Sequence, residues 1–456
     1  SCLFNSGEKV NNQDLLKRVK EDGVMFISYQ FTDVNGVVKS LDGPVGRLEE
    51  VLDGGIWFDG SSVEGFARIQ ESDMHLKADP ETYAILPWSD PEYRRARVLC
   101  DIYRPNGTPF EGDPRGRLKA ALRKVKEERG WTYNIGPEPE FYLFLRNGPE
   151  KTHPVPYDVG SYFDFSANDQ AVRIRTEIIS TLHMMGLKVE VGHHEVGLGQ
   201  HEIDFQFDDA LKTADNVQTF KSAVKAIAGR HGVIASFMPK PIYGAAGSGM
   251  HCHQSVYDQE GNNLFYDQAD PMHLSDLAKQ FIAGQLKHAR ALSTVLAPTV
   301  NSYKRLVPGY EAPVYIAWAQ VNRSALIRVP QVNNGNKKAV RIELRCPDPS
   351  ANPYLAFTSM LTAALEAVDD RSVTCPEPVN NVNLYDLNLR ERQELMVNAL
   401  PGSLEDALIE FKVDPLMKKA LGDTLYDTFI ASREAEINEY RTKVTDWEVM
   451  RYLETI

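Results

Sequence analysis

The sequence predicts an α+β protein that consists of a small N-terminal domain and a larger C-terminal domain. Its 456 residues exceed what one hydrophobic core usually serves, and 43% of them are hydrophobic, which is enough for more than one core. Strand-like segments dominate the first part of the chain, whereas strands and amphipathic helices alternate in the rest. We therefore expect one domain at residues 1–112 and a second at residues 113–456.

The first domain begins with a predicted short helix at Gln13–Glu21. The segment FISYQFTDVNGVVKSLDGPV then indicates two strands joined by a turn at Asp33–Gly36, and YAILPW and ARVLCDIY indicate further strands. A segment rich in turn residues, RPNGTPFEGDPRG, follows, and it precedes a predicted helix at Arg117–Arg129. The N-terminal domain is thus expected to be small and to mix strands with few helices.

The second domain is expected to contain a large sheet with helices around it. The predicted strands are Tyr133–Leu145, Lys188–Val196, His201–Phe207, Met250–Tyr257 and Ala339–Arg345. The predicted helices are Asp169–Met185, Thr213–Gly232, Ser275–Leu296 and Asn352–Val368. The charged, amphipathic sequence after Ser403 predicts further helices.

The overall charge and the cysteine content exclude several classes of function. The chain has 50 lysines and arginines against 63 acidic residues, a net charge of −13, which argues against a general nucleic-acid surface or binding to anionic membranes. Five scattered cysteines without a CxxC spacing indicate a reducing compartment. No run of about 18 apolar residues predicts a membrane span. We expect a soluble cytoplasmic protein.

Charged residues recur at a spacing of two within several predicted strands. Glu138 and Glu140 in GPEPEFYLF share one face of a strand, and so do His251 and His253 in GSGMHCHQS. Glu195 and Glu202 flank a glycine-containing bend, and in RIELR the charged residues alternate with apolar ones. Strands that each offer charges to one side predict a curved antiparallel sheet around a polar cavity. The carboxylates and the histidine expected to meet there are Glu138, Glu140, Glu195, Glu202, Glu343 and His251.

So many carboxylates in one cavity cannot all ionise unless divalent cations neutralise them. Carboxylates with a single imidazole are hard ligands, which suit Mg²⁺ or Mn²⁺ better than zinc. Zinc bound by His193, His194 or His251 together with Cys252 is the alternative. Strand alternation disfavours it, because Cys252 points away from the two histidines beside it.

A second cluster of charge consists of arginines in an otherwise apolar part of the sequence. Its members are Arg305, Arg323, Arg328, Arg341 and Arg345. Guanidinium groups bind phosphate and carboxylate oxygens in two-point contacts, so arginines beside metal ligands indicate phosphoryl transfer. The glycine-rich GAAGSG at residues 244–249 is not a P-loop, because no GK[ST] follows it.

At these residues the sequence resembles the glutamine synthetases of type I, found in bacteria and archaea. The motifs that carry the resemblance are WFDGSSVEGF, IQESDM, GPEPEF, HHEVGLGQHEID, KPIYGAAGSGMHCH, NSYKRLVPGYEAPV, NRSALIRVP and RIELRCPDPSANPYL. The resemblance implies a β-grasp N-terminal domain and a catalytic domain whose curved sheet forms a funnel. It also implies a dodecamer of two hexameric rings with active sites between subunits. The short stretch between Glu140 and Tyr162 is typical of the α subtype.

The resemblance also implies a reaction, in which ATP phosphorylates glutamate and ammonia displaces phosphate from γ-glutamyl phosphate. Two or three Mg²⁺ or Mn²⁺ ions would take part, one held by Glu140, Glu195 and Glu202 and another by Glu138, His251 and Glu343. The implied catalytic residues are Asp59, which would bind and deprotonate ammonium, Glu311, Arg323 and Arg341. The implied substrate-binding residues are Arg305, Arg345, Gly247, His251, Glu140 and Glu195. The implied nucleotide-binding residues are Phe207, His253, Ser255, Lys338 and Arg328.

Two further expectations concern regulation and one position at which the sequence departs from the family pattern. Arg68 matches the arginine through which the α subtype senses glutamine, and small regulatory proteins are further expected partners. Ala246 stands where the family usually has asparagine, so an amide that helps hold glutamate is missing. Two alternatives remain open: a γ-glutamyl ligase for another amine, and a catalytically inactive family member with a regulatory binding role.

Overall fold

The computed structural model describes residues 10–63, 73–146, 154–165, 170–309, 312–332, 336–380 and 382–456. Two sheets organise this part of the chain, and each has its own hydrophobic core. Among the helices of the described residues, none combines the length and the apolar character needed to cross a bilayer.

The N-terminal sheet has five strands in the order β2-β1-β5-β4-β3. The strands are β1 Phe26–Thr32, β2 Val38–Pro44, β3 Ile56–Asp59, β4 Asp73–Ile85 and β5 Arg95–Tyr103. β1 and β5 are parallel and the other pairs are antiparallel. Helices α1 Asn12–Glu21 and α2 Leu48–Gly54 pack on β4, so the predicted small mixed domain is confirmed.

The second sheet has ten strands and carries the residues singled out in the sequence. Its strands are β6 Thr132–Leu145, β7 Val189–His194, β8 Gln200–Phe205, β9 Asp208–Asp209, β10 Val233–Ser236, β11 Met250–Tyr257, β12 Tyr315–Ala319, β13 Ala325–Arg328, β14 Ile342–Leu344 and β15 Asn398–Ala399. The strand order is β15-β12-β13-β14-β11-β6-β8-β7, and β9 and β10 also pair with β6. The long strand β6 is therefore the centre to which the site strands attach.

Helices make up most of the rest of this part of the chain. They are α3 Pro114–Arg129, α4 Val172–Met184, α5 Ala210–Arg230, α6 Asp276–Lys287, α7 Ala289–Leu296, α8 Ser302–Arg305, α9 Pro353–Asp369, α10 Leu389–Glu394, α11 Leu404–Val413, α12 Pro415–Leu421, α13 Asp423–Arg441 and α14 Asp446–Tyr452. α9 is buried along most of its length and packs against α3, α5, α6, α7 and α12. The α+β class with helices flanking a sheet is confirmed.

Three details of the prediction were wrong. The sheet is not wholly antiparallel, because β12 and β13 run parallel. The helix predicted at Ser275–Leu296 is two helices that meet at His288, whose ring binds Glu366 and Asp414 and fixes the break. The strand predicted at Ala339–Arg345 is only three residues long, at Ile342–Leu344, and residues 337–339 before it form a 3₁₀ turn.

A buried arginine joins the two sheets. Arg115, near the start of α3, has a side chain that is only 4% exposed. It pairs with Asp79 and Asp101 of the N-terminal sheet and with Asp215 of α5 at 2.6–2.9 Å. The predicted division between residues 112 and 113 lies just before this helix and stays a prediction.

Candidate active site

The register of neighbouring strands brings the predicted ligands side by side. Glu138 on β6 lies opposite His251 on β11, and Glu140 on β6 lies opposite Glu202 on β8. On the other side of β11, His253 lies opposite Glu343 on β14. Directly opposed residues on adjacent strands have Cβ atoms about 4.5–5.5 Å apart, so each of these pairs of side chains is close enough for direct contact.

Glu138, His251, His253 and Glu343 form the first cluster. The carboxylate of Glu138 lies 2.7 Å from Nε2 of His253 and 3.3 Å from Nδ1 of His251, and that Nδ1 is 3.4 Å from Oε1 of Glu343. Glu138, His253 and Glu343 each offer a ligand atom, all within 4.8 Å of one another. His253, which was predicted to line the nucleotide site, thus lies as close to Glu138 as His251 does.

Glu195, Glu202 and His193 form the second cluster, with Glu140 opposite Glu202. His193 lies 3.5 Å from Glu195 and 3.6 Å from Glu202, measured from its ring nitrogens to carboxylate oxygens. These three residues also offer ligand atoms within 4.8 Å of one another. Glu140 accepts hydrogen bonds from the backbone N–H of Gly249 at 2.9 Å and from the amide of Gln200 at 3.2 Å.

The electrostatics of the clusters fit divalent cations. Burial raises the pKa of Glu140 to about 8, and repulsion by Glu195 adds to the rise. Burial likewise raises the pKa of Glu202 to about 12, with Glu140 adding to it. For Glu138, burial also acts to raise the pKa, but hydrogen bonds from His251 and His253 bring it below its ordinary range. Carboxylates so crowded favour either bound protons or cations, and their hard oxygen atoms match Mg²⁺ or Mn²⁺.

Arginines close one side of the site. Arg305 is buried and donates to the carbonyl oxygens of Cys346 at 2.9 Å and Arg345 at 3.0 Å. Gly247 and Gly249 leave room for it, because a Cβ on either residue would lie within 2.7 Å of its side chain. A cavity of about 60 Å³ remains between these groups, and its lining includes Glu140, Glu195, Gln200, Gly247, Gly249, His251, Arg305 and Arg345.

A second cavity of about 290 Å³ adjoins the first cluster. Its lining includes Glu138, Glu190, Asp204, Phe207, His253, Ser255, Lys338 and Arg341. Nε of Arg341 donates to Nδ1 of His253 at 3.1 Å, which places a guanidinium beside the carboxylates. Four of the five predicted nucleotide-binding residues therefore line one cavity. The fifth, Arg328, is not among the described residues that line this cavity, and its Nε binds Glu343.

Some predicted catalytic residues lie elsewhere in the chain. Asp59 ends β3 in the N-terminal sheet, is exposed, and accepts a hydrogen bond from the backbone N–H of Ser61 at 2.9 Å. Arg323 is exposed in the turn before β13, and its carbonyl oxygen accepts a hydrogen bond from Arg345. In the described part of the chain, neither residue is among those that line the two cavities. Glu311 and Arg68 lie outside the described residues.

Gln200, which binds Glu140, was missed in the sequence, and so were Glu190 and Asp204, which line the larger cavity. His193, which lies between Glu195 and Glu202, was named only as a possible zinc ligand. A spacing of two was the available signal, since His193 shares a strand face with Glu195 and Glu202 shares one with Gln200 and Asp204.

Comparisons with known proteins cover both sheets. A family model described as the catalytic domain of glutamine synthetase matches residues 111–452, and one described as its β-grasp domain matches residues 23–105. The glutamine synthetase of Methanocaldococcus jannaschii is 49% identical over an alignment of 456 positions, which covers 98% of this chain and 99% of that protein. That of Thermotoga maritima is 48% identical over an alignment of 443 positions, which covers 96% of this chain and 99% of that protein.

Solved structures give the same result. One described as "GmaS/ADP complex-Conformation 1" has a TM-score of 0.87 at 30% identity, covering 97% of this chain and 99% of its own. The Plasmodium falciparum glutamine synthetase has a TM-score of 0.86 at 25% identity, covering 98% of this chain and all of its own. Since the matches include every strand that carries the two clusters, the chain belongs to the glutamine synthetase family.

Proposed function

We propose that this chain, as its family membership indicates, is a glutamate–ammonia ligase that forms glutamine, ADP and phosphate through γ-glutamyl phosphate. The observation that carries the proposed site is the register of β6 with β8 and β11. It sets Glu138 and Glu140 against His251 and Glu202 and so brings two groups of hard ligands together on adjacent strands. Nitrogen assimilation in the cytoplasm would be the setting.

The two clusters would hold the cations. Glu140, Glu195 and Glu202 would bind one Mg²⁺ or Mn²⁺ ion, and Glu138, His251 and Glu343 a second, with room for His253 to take part. Such ions, two or three in number, would neutralise negative charge on ATP and glutamate oxygens when bound. Glu343 is held by Arg328 and Arg345, so its carboxylate has a fixed orientation before any cation binds.

The smaller cavity suits glutamate. Arg305 and Arg345 present guanidinium groups to it, and glycines 247 and 249 let the backbone approach closely. The larger cavity suits the nucleotide, with Phe207 as a surface for the base and Ser255, Lys338 and Arg341 near the phosphates. The structural neighbour described as an ADP complex supports a nucleotide site in this fold. Arg323 and Arg341 would counter the charge of the phosphoryl group in transfer.

Ammonia requires a carboxylate that remains ionised. Hydrogen bonds from Ser61 hold the pKa of the exposed Asp59 below its ordinary value, so it can attract ammonium and accept its proton. Because Asp59 belongs to the N-terminal sheet, its place in the mechanism favours a site completed by a neighbouring subunit. Glu311 would shield the acyl phosphate from water and accept a further proton.

A homo-oligomer would supply the neighbouring subunit that completes the site. The C-terminal helix α14 exposes Trp447 and Met450, and Leu453 and Ile456 follow at the same spacing of three, each more than half exposed. Large apolar residues grouped on a surface mark contacts between proteins. We propose a homo-oligomer, a dodecamer of two hexameric rings, with feedback inhibition by glutamine through Arg68 and control by small regulatory proteins.

Phosphate release from ATP and glutamate tests the activity. Ammonium should support turnover with Mg²⁺ or Mn²⁺, whereas methylamine and polyamines should support little. Glu140→Gln should lower the rate by more than about 10-fold, while Glu128→Gln, an exposed glutamate on α3, should leave it unchanged. Turnover with a larger amine but not with ammonium, or no turnover with any amine, would contradict the proposal.

A further inference from the structure

Three buried polar side chains lie behind the hairpin that carries Glu195 and Glu202. Asp158, His194 and His201 each have a side chain with 0% exposure. His194 on β7 lies directly opposite His201 on β8. The neighbouring pair, His193 and Glu202, lies on the other face of the hairpin, which is the face of the site. The three residues therefore occupy the face of the hairpin that points away from the cavity.

The carboxylate of Asp158 binds both histidines and two backbone groups. Its oxygen atoms lie 2.5 Å from Nε2 of His194 and 3.1 Å from Nε2 of His201. It also accepts from the backbone N–H groups of Gly160 at 3.1 Å and Gly199 at 3.3 Å. One side chain thus connects its own segment to both strands and to the bend between them.

His194 carries this connection to a predicted cation ligand. Its Nδ1 lies 2.7 Å from the carbonyl oxygen of Glu195, so the ring spans from Asp158 to the backbone of Glu195. The fit is tight, because a Cβ on Gly160 would lie 2.6 Å from the His194 ring. Gly199 has φ +73° and its carbonyl oxygen accepts from the N–H of Leu143 on β6, which fixes the end of the bend.

The hydrogen bonds distinguish this cluster from a metal site. Nη1 of Arg175 lies 3.0 Å from Nδ1 of His201, and a guanidinium can only donate. Nδ1 of His201 is therefore the acceptor, and its Nε2 carries the hydrogen that Asp158 receives. A protonated ring nitrogen cannot bind a metal ion, so His201 acts here as a hydrogen-bond partner of Asp158.

We propose that Asp158 is a positioning residue, which holds the two histidines so that Glu195 and Glu202 remain in place for a divalent cation. The inference rests on the proposed function of those two glutamates. Outer partners that orient metal ligands typically change metal affinity by about 10- to 100-fold when they are lost. Asp158 acts through one intervening residue, so we expect an effect near the lower limit, about 10-fold.

Binding of Mn²⁺ to the full chain, followed by the electron paramagnetic resonance signal of the free ion, tests the proposal without activity. Asp158→Asn should raise the dissociation constant for Mn²⁺ by about 10-fold. Asp414→Asn is the matched control, because Asp414 also accepts from a buried histidine, His288 at 2.6 Å, but lies outside both clusters. Asp414→Asn should leave Mn²⁺ binding unchanged, even if it lowers the unfolding midpoint as much as Asp158→Asn does. Glu202→Gln removes a ligand and should weaken binding further.

A second variant, Gly160→Ala, tests the same role if Asp158→Asn does not fold. Gly160→Ala keeps every polar group and displaces the His194 ring, so it should also weaken Mn²⁺ binding. Unchanged binding in both Asp158→Asn and Gly160→Ala, with weaker binding in Glu202→Gln, would overturn the positioning role and leave the proposed site intact. Equal weakening in Asp158→Asn and Asp414→Asn would also overturn it. No effect of Glu202→Gln would refute the cation site itself, and the positioning role with it.

Discussion

The buried ion cluster at the junction of the two sheets makes a strong prediction about stability. Arg115 donates to Asp79, Asp101 and Asp215, whose side chains are 18%, 14% and 9% exposed. Arg115→Met retains an unbranched, largely apolar side chain in place of the aliphatic part of the arginine but removes the cation. Three largely buried carboxylates would then remain, with Lys119 still bound to Asp101 at 2.6 Å.

The expected cost follows from this burial. Removing one partner of a buried ion pair typically destabilises a protein by about 3–5 kcal/mol, because the remaining charge is left uncompensated. A native protein is stable by only about 5–15 kcal/mol, so the loss would be a large fraction of the total. The exposed pair Arg95–Asp42 has the same 2.6 Å distance with side chains 41% and 43% exposed, and an exposed pair contributes at most about 1 kcal/mol.

Chemical unfolding of Arg115→Met and of the control Arg95→Met, at equal protein concentration without cations or nucleotide, measures both costs. Burial acts to raise the pKa of Asp101, but the charges of Arg115 and Lys119 hold it below its ordinary value. That contribution is present above the unfolded pKa and is lost as the pH falls. The difference between Arg115→Met and the parent should therefore shrink towards acid pH. Equal losses in the two variants, or a loss under about 1 kcal/mol for Arg115→Met, would refute the reasoning.

Three further predictions concern pH, substrate affinity and regulation. Burial acts to lower the pKa of His288, but hydrogen bonds to Asp414 and Glu366 raise it above its ordinary value. Its stabilising contribution is complete below the unfolded pKa and is lost as the pH rises through the folded pKa. The unfolding midpoint of the parent should therefore fall towards that of His288→Gln between neutral and alkaline pH, and a constant gap would contradict this. Ala246→Asn should restore an amide beside the smaller cavity and lower the KM for glutamate several-fold; an unchanged or higher KM in initial-rate measurements would count against it. Arg68→Ala, at a position outside the described residues, should relieve inhibition by glutamine, and equal inhibition of variant and parent would show that Arg68 is not the sensor.

The local sequence predicts the strands of the site well, because alternation at a spacing of two is visible without any tertiary information. The strand at Met250–Tyr257 was predicted with the bounds that the structure shows. Glu138 and Glu140 were assigned to one strand face, and the structure sets them against His251 and Glu202 on the two neighbouring strands. The grouping of these residues around two cations came from the resemblance to a family, since alternation alone does not say which strands are adjacent.

Contacts between distant residues set the limit of the prediction. The break at His288 depends on Glu366 and Asp414, which lie 78 and 126 residues away in the sequence. Periodicity continues through this position, so the sequence reads as one helix. Similarly, the pairing of Arg328 with Glu343 was not predicted, because it follows from the register of β13 with β14.

Alternation also explains how the fold tolerates so many like charges. Phe141 and Ile203, which follow Glu140 and Glu202, are fully buried in the core, so apolar contacts hold each strand while its other face repels its neighbours. Burial and repulsion raise the pKa of Glu202, so the crowded carboxylates favour a positive partner, either a proton or a cation. Cations bound there would compete with protons and would relieve the same repulsion that the core has to overcome. The apolar face of the sheet therefore keeps the ligands together. At the β7–β8 hairpin, which lies at the edge of the sheet, the buried hydrogen bonds of Asp158 serve the same purpose.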